Sequence, residues 1–256
     1  MSRSLAAVAA LVLATLLAMS SVCVVQAADP AQGLSREAIE EIIRDYLLKN
    51  PEVIDQAFGI LEERQRKAEK QETMKALAAH QEDLLSDPRS PVGGNPMGSV
   101  TVVEFFDFRC PHCKRAAPDV KKLVQEDSDV RIVYKQFPLL GPDSELAARA
   151  ALAAHAQGKY AALHDAMLAA SGPLTMRAIL KLAGPAGLDV AKLQADIEAP
   201  EILATIERDR SLAEAIGITG TPSFVIGSEL VPGRVDLATL KALVAEARAK
   251  AAPPSR

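Results

Sequence analysis

Three rhythms of apolar residues follow one another along this chain, and each change of rhythm marks a new part. The first is an almost unbroken apolar run from Leu5 to Met19, behind Arg3 and ahead of Val25-Gln26-Ala27. A charged start, a short apolar middle and small residues at the end predict a secretory signal peptide over residues 1–27. The run is too short to span a bilayer, so an exported protein of the periplasm is expected, with attachment to the outer membrane or cell surface left open. Cys23 opens a lipoprotein alternative, against which Val22 stands where lipid attachment would want a smaller residue.

The second rhythm is helical. Ser35 reads as an N-cap with Leu34 stapled onto Ile39, and Ile39, Ile42, Ile43, Tyr46 and Leu47 form one apolar stripe on a charged helix. Asn50-Pro51 ends that helix and opens another, with Asn50 as its cap, which is expected to run toward Leu85. Val53, Ile54, Ala57, Phe58, Ile60 and Leu61 make its start apolar, whereas Glu62 to Glu72 is almost wholly polar. Residues 28–88 are therefore expected to form a helical arm. Its stripe either packs back on the rest of the chain or, as favoured here, joins copies of the chain into a homo-oligomer through residues 34–62.

Asp87 to Pro96 is dense in turn formers and marks the boundary to a second domain over residues 89–250. There the third rhythm begins. Val100 to Arg109 is β-branched and aromatic and predicts a buried strand. Apolar residues at helical spacing from Lys114 to Gln125 predict a helix, and Val130 to Phe137 a second strand parallel to the first. Helical periodicity then recurs over 144–157, 160–170, 175–182, 190–197 and 201–216. A hairpin follows, Ser223–Ile226 with Glu229–Val231 around Gly227-Ser228, and then a closing helix from Asp236 to about Lys250. The fold class is α/β: βαβ, a helical insertion at about 141–216, then ββα, with residues 251–256 as a frayed tail.

Between the first strand and its helix stands Cys110-Pro111-His112-Cys113. Unpaired N–H groups at a helix start, the helix dipole and the adjacent His112 all favour thiolate over thiol. Cys110 is thus the expected nucleophile, and Cys113, one turn further in, the resolving thiol. With residues 1–27 removed, these are the only cysteines left, and an exported chain with one such pair uses it for chemistry. No cofactor is needed beyond the redox-active Cys110-Cys113 disulfide. The same spacing is half of a zinc site, but His80, His155 and His164 supply no second cluster, so no resident metal is expected; transient copper(I) binding by the two thiolates stays open. His155 and His164 read as packing or surface residues of the insertion. Formal charge moves from −4 to −5 when Arg3 leaves with the signal peptide, which argues against nucleic acid as a partner.

Val103-Glu104-Phe-Phe-Asp-Phe-Arg-Cys-Pro-His-Cys113, Tyr134-Lys-Gln-Phe-Pro138 and Gly217-Ile-Thr-Gly-Thr-Pro-Ser-Phe224, in that order, resemble the thioredoxin fold of the DsbA-like thiol–disulfide oxidoreductases with its inserted helical domain. With Tyr46-Leu-Leu-Lys-Asn-Pro-Glu-Val53, the chain looks most like the exported branch holding the ScsC-type copper-tolerance and Com1-like proteins. The resemblance implies a cis bond before Pro222, which would set Thr221 beside the dithiol to bind substrate. It also implies a buried Glu104 beneath the dithiol that assists proton transfer, alongside Pro111 and His112 in the motif. The implied activity is disulfide exchange with unfolded or misoxidised exported proteins, served by a membrane redox partner. Isomerase is the favoured form; a monomeric oxidase and a copper(I)-binding or chaperone-like holder are the alternatives.

Overall fold

Residues 33–251 are described by the computed structural model; the expected signal peptide with Cys23, and residues 252–256 of the expected tail, fall outside the described residues. The chain divides into two units at Glu62/Glu63. In the first, helix α1 (Arg36–Lys49) starts at Ser35, whose side chain accepts from Ala38 N at 3.2 Å, and Glu37 in its first turn complements the helix dipole. Helix α2 (Glu52–Ala79) follows. None of the α1 side chains is buried, and Ile39, Ile42, Ile43, Tyr46, Ile54, Phe58, Ile60 and Leu61 are all exposed.

The second unit is built on a sheet in the order β1-β3-β2-β4-β5. Strands β2 (Val100–Phe106) and β3 (Val130–Gln136) are parallel, running from Val100 opposite Val130 to Phe106 opposite Gln136. Helix α4 (Pro111–Glu126) makes the crossover between them. Strands β1 (Val92–Gly94), β4 (Ser223–Ile226) and β5 (Glu229–Pro232) pair antiparallel around this centre. Five helices stand between β3 and β4: α5 (Pro142–Ala156), α6 (Tyr160–Ala169), α7 (Met176–Ala183), α8 (Val190–Asp196) and α9 (Pro200–Ala215). Helix α10 (Leu237–Ala251) closes the described chain.

Side chains alternate across β2 and so feed cores on both faces of the sheet. Val103 and Phe105 point to the side of Leu77, Leu84, Val133 and Leu212. Val102 packs with Ala116, Val120 and Leu123 of α4. Phe106 joins Phe108, Cys110, Cys113, Leu163 and Met167 in the core under the insertion. Six buried alanines of α5, from Ala147 to Ala154, let neighbouring helices approach closely there.

Four details depart from the sequence expectation. The turn-rich stretch before the second domain contains strand β1, which pairs Val92–Gly94 with Arg131–Val133. Gly93 fits there because a Cβ would come within 2.9 Å of the Tyr134 ring. The arm's long helix stops at Ala79, and a separate short helix, α3 (Gln81–Leu85), follows His80. Asn50, expected to cap the second helix, turns its amide back to Tyr46 O at 2.8 Å and finishes the first. Helix α4 begins at Pro111, three residues ahead of the expected start.

Lys135 of β3 is wholly buried, with Nζ 3.2 Å from Asp209 and 3.8 Å from Asp87. Asp209 also accepts from Gln136 N at 2.7 Å, and burial pushes its carboxyl up to about 6 against the pull of Lys135. The pair fastens α9 to the sheet, and removing one partner alone strands a buried charge. Lys135→Met is expected to cost about 3–5 kcal/mol in urea unfolding at pH 7. Adding Asp209→Asn should recover part of that loss, and a double mutant no more stable than Lys135→Met would contradict the pairing.

Candidate active site

Strand β2 ends at Phe106, and the chain turns through Asp107 to Arg109 before entering α4. Cys110 is the N-cap of that helix with Pro111 at its first position, and its carbonyl accepts the first helical hydrogen bond, from Lys114 N at 3.1 Å. First-turn N–H groups have no partner within the helix, so the end carrying the dithiol is electropositive. Both cysteines are thiols, Cys110 6% and Cys113 1% exposed. The outer sulfur is therefore the more accessible one.

Thr221 reaches the dithiol because β4 runs antiparallel to β2, with Glu104 opposite Phe224 and Phe105 opposite Ser223. That register carries the residues before Ser223 up to the turn. The Thr221–Pro222 bond is cis, and Cys110 Sγ donates to Thr221 O at 3.2 Å. Pro222 O in turn accepts from Gly233 N at 2.8 Å, which ties this loop to the end of β5.

Glu104 is buried on the α4 side of β2, between Val102 and Phe106 on the same face. Burial pushes its carboxyl up to about 8, with no hydrogen bond or positive charge to offset it. The Cys113 thiol is driven well above its ordinary range, first by burial and then by the charges of Glu104 and Cys110. The Asp107 backbone and the Thr221 side chain pull it partly back. A buried acid and a buried thiol that each resist ionisation thus share one low-dielectric space.

His112 is exposed, and its Nδ1 lies 3.0 Å from Arg115 Nη2. Guanidinium has only donors, so Nδ1 accepts in this contact. Arg115 O is itself held by Arg234 Nε at 3.3 Å, and Lys114 Nζ donates to Ala170 O at 2.6 Å, anchoring the dithiol helix to α6. His164 is buried in a box of Phe106, Phe108, Tyr134 and Tyr160, its Nε2 without a hydrogen-bond partner. Burial lowers the pKa of His164 and favours the neutral ring. The structure thus gathers Cys110, Cys113, Pro111, Glu104, Thr221 and Pro222 and leaves His112 at the rim. Sequence reasoning assigned no part to Asp107, a buried acid between two phenylalanines whose carboxylate accepts from Arg109 N, Leu139 N, Leu140 N and Ser144 Oγ at 2.7 to 3.0 Å. Its position among apolar neighbours was the available signal. Among the described residues no group of three His, Cys, Asp or Glu side chains is placed to hold a metal ion.

Comparison with known proteins finds the DSBA-like thioredoxin domain over residues 101–245 and the N-terminal domain of the copper resistance protein ScsC over residues 36–68. A thioredoxin-like oxidoreductase from Silicibacter pomeroyi DSS-3 is 50% identical, with a TM-score of 0.65 over 67% of this chain and 98% of its own. The thiol-disulfide exchange protein α-DsbA2 from Wolbachia pipientis is 31% identical, with a TM-score of 0.66 over 70% of this chain and 97% of its own. ScsC of Proteus mirabilis in a transitional conformation is 29% identical, with a TM-score of 0.65 over 84% of this chain and 97% of its own. Curated relatives include a Na(+)/H(+) antiporter of Salinispora tropica, 33% identical over 64% of this chain; the chain spans about a quarter (26%) of that protein's length. No helix among the described residues is long and apolar enough to cross a membrane.

Glu104 keeps its proton in the folded chain up to about pH 8 and loses it near 4.5 in the unfolded chain. Between those values the unfolded chain binds fewer protons, so stability falls as pH rises, then levels above 8. The interval of about 3.5 pH units is worth at most ~5 kcal/mol. Urea unfolding of the reduced protein at pH 5 and pH 8 should show this loss, and Glu104→Gln should flatten it; equal slopes for the two proteins would place the titration elsewhere.

Proposed function

Because the chain belongs to the DsbA-like thioredoxin family of thiol–disulfide oxidoreductases, we propose that it exchanges disulfides with exported client proteins through Cys110 and Cys113, chiefly as a disulfide isomerase of the periplasm. The observation that carries the exchange chemistry is Cys110 at a helix N-terminus, its sulfur 3.2 Å from the carbonyl before cis-Pro222, with Cys113 and Glu104 buried behind it.

The Cys110 thiolate attacks one sulfur of a client disulfide, forming a mixed disulfide and releasing the other client sulfur as thiolate. Two exits follow. A client thiolate that attacks its own sulfur in the mixed disulfide leaves a rearranged client disulfide and restores the Cys110 thiolate, with no net electron transfer. If Cys113 attacks the Cys110 sulfur instead, the Cys110-Cys113 disulfide forms and the client leaves as a dithiol, two electrons richer. That second exit requires the Cys113 proton to leave a dry site, and the fraction of Glu104 that has lost its proton is the nearby acceptor. Return to the dithiol then requires electrons from a membrane redox partner. No resident cofactor takes part.

Support for isomerisation over plain oxidation comes from the arm. Its exposed apolar residues between Ile39 and Leu61 lie within the stretch that matches the ScsC N-terminal domain, and they suit a seam between copies of the chain. Several dithiols on one assembly would face a shared client. Copper(I) held between the two thiolates is a second reading, favoured only by the copper resistance named for that matching domain.

Cys113→Ala should accumulate a mixed disulfide with a scrambled-disulfide test protein, seen as a reducible adduct on gels, while Cys110→Ala should reduce exchange to background. Unchanged exchange by Cys110→Ala would remove the nucleophile assignment. Deleting residues 28–62 from the mature chain is expected to give a monomer by light scattering and to abolish recovery of the scrambled protein. A mature chain that already scatters as a monomer would refute assembly through the arm.

A further inference from the structure

A cavity of about 350 Å³ lies on the face of the sheet away from the dithiol helix, lined by α9, by the segment from His80 to Asp87 and by Lys135. Lys135 stands opposite Phe105 in the parallel pair, so both side chains point to that face. The volume is at the small end of the range for small-molecule sites. An ammonium has three N–H donors, and Asp209 Oδ1, 3.2 Å from Lys135 Nζ, is the one carboxylate oxygen within hydrogen-bond distance; Asp87 Oδ2 is 3.8 Å away. Asp87 is occupied elsewhere, since Arg89 N and Nε donate to its Oδ1 and Arg89 Nη2 to its Oδ2, at 2.7 to 3.0 Å. Arg208 Nη2 donates to Thr205 Oγ1 at 2.9 Å, but Arg208 Nε is buried with no hydrogen-bond partner among the described residues. Asp209 Oδ2 accepts from Gln136 N, while Asp209 Oδ1 lies beside Nζ without an aligned hydrogen bond.

The inner wall thus carries more N–H donors than the protein answers, and such groups are costly in an interior without a partner. The rim has the opposite character. Asp83 is exposed there, with His80 Nδ1 3.5 Å from its carboxylate. Leu212 and Ala215 of α9 add apolar surface. We propose that this cavity binds a small zwitterion, an α-amino acid with an aliphatic side chain, its carboxylate toward Lys135 and Arg208 and its ammonium toward Asp83. The side chain would lie on Leu212 and Ala215. A plain anion would meet the inner donors but bring its charge toward Asp83 and Asp209 with nothing to offset it. A plain amine would suit the rim and leave the inner donors unmet. Only a ligand carrying both charges answers both ends. The cavity is on the opposite face of the sheet from Glu104 and Cys113, so the proposal does not depend on the assignment of Cys110 as nucleophile.

The test is calorimetric titration of the mature protein with three probes: L-leucine, isocaproate, which is leucine without its amine, and isoamylamine, which is leucine without its carboxylate. L-leucine should bind with one site per chain, and each partial probe should bind at least about tenfold more weakly, as expected when one charged hydrogen-bonding group is lost. Arg208→Gln should weaken L-leucine by about tenfold. Ala215→Trp, a change at an exposed position that fills the cavity, should abolish binding while the urea midpoint stays near that of the parent. Ser211→Trp, one turn away on the same helix face, makes the same test if the first variant does not fold. Absence of heat with all three probes would overturn the proposal. Isocaproate or isoamylamine binding as tightly as L-leucine would overturn it too, by showing a site for a single charge. Binding of L-leucine that survives both tryptophan variants would place the ligand elsewhere and also overturn it.

Discussion

Asp107 stands where β2 gives way to the dithiol turn, and its carboxylate takes hydrogen bonds from Arg109 N, Leu139 N, Leu140 N and Ser144 Oγ. A buried carboxylate is costly unless several donors replace water. Those donors come from the turn itself, from the loop leaving β3 and from the first turn of α5, so the set exists only when sheet and insertion are docked. The dithiol therefore inherits its geometry from the docking of the insertion on the sheet. Substitution of this one acid would reach the cysteines, the leucine loop and the insertion together.

Buried polar groups on the two faces of the sheet are handled in opposite ways. On the side of α9, Lys135 and Asp209 remain in reach of one another, and the charge of each is met by the other. On the side of α4, Glu104 has no such counterpart and holds its proton instead. Pairing gives rigidity, as expected where α9 must stay on the sheet. Leaving an acid unpaired costs stability but provides a site that can take up or release a proton near pH 8, beside the buried Cys113 thiol.

Much of this was legible in the sequence because the signals are local. β2 reads from its run of β-branched and aromatic residues, α4 from its apolar spacing, the hairpin from Gly227-Ser228, and the insertion from glycines and prolines that punctuate helical periods. The buried Glu104 and the cis bond at Pro222 both follow from the resemblance, and the apolar neighbours of Glu104 in β2 agree with its burial. What escaped notice depends on residues far apart in the chain. β1 has two glycines in three residues and exists because β3 offers it an edge. Lys135 looks like a surface charge until Asp87 and Asp209 are brought to it. Asp107 sits inside a motif that reads for its cysteines, and three of its four partners lie beyond β3. Asn50 was misjudged for a smaller reason, since the end of one helix and the start of the next compete for the same amide.

The rims of the sheet bear on how such a protein coexists with unfolded chains. On one side β1 offers three residues, two of them glycine; on the other, β5 is four residues long and ends at Pro232, which has no N–H to donate. Rims this short give little template for another strand. An unfolded polypeptide at the dithiol therefore meets few opportunities for lengthy main-chain pairing with the sheet's outer strands. On the chemistry proposed above, a client's attachment would then end when its sulfur bond ends.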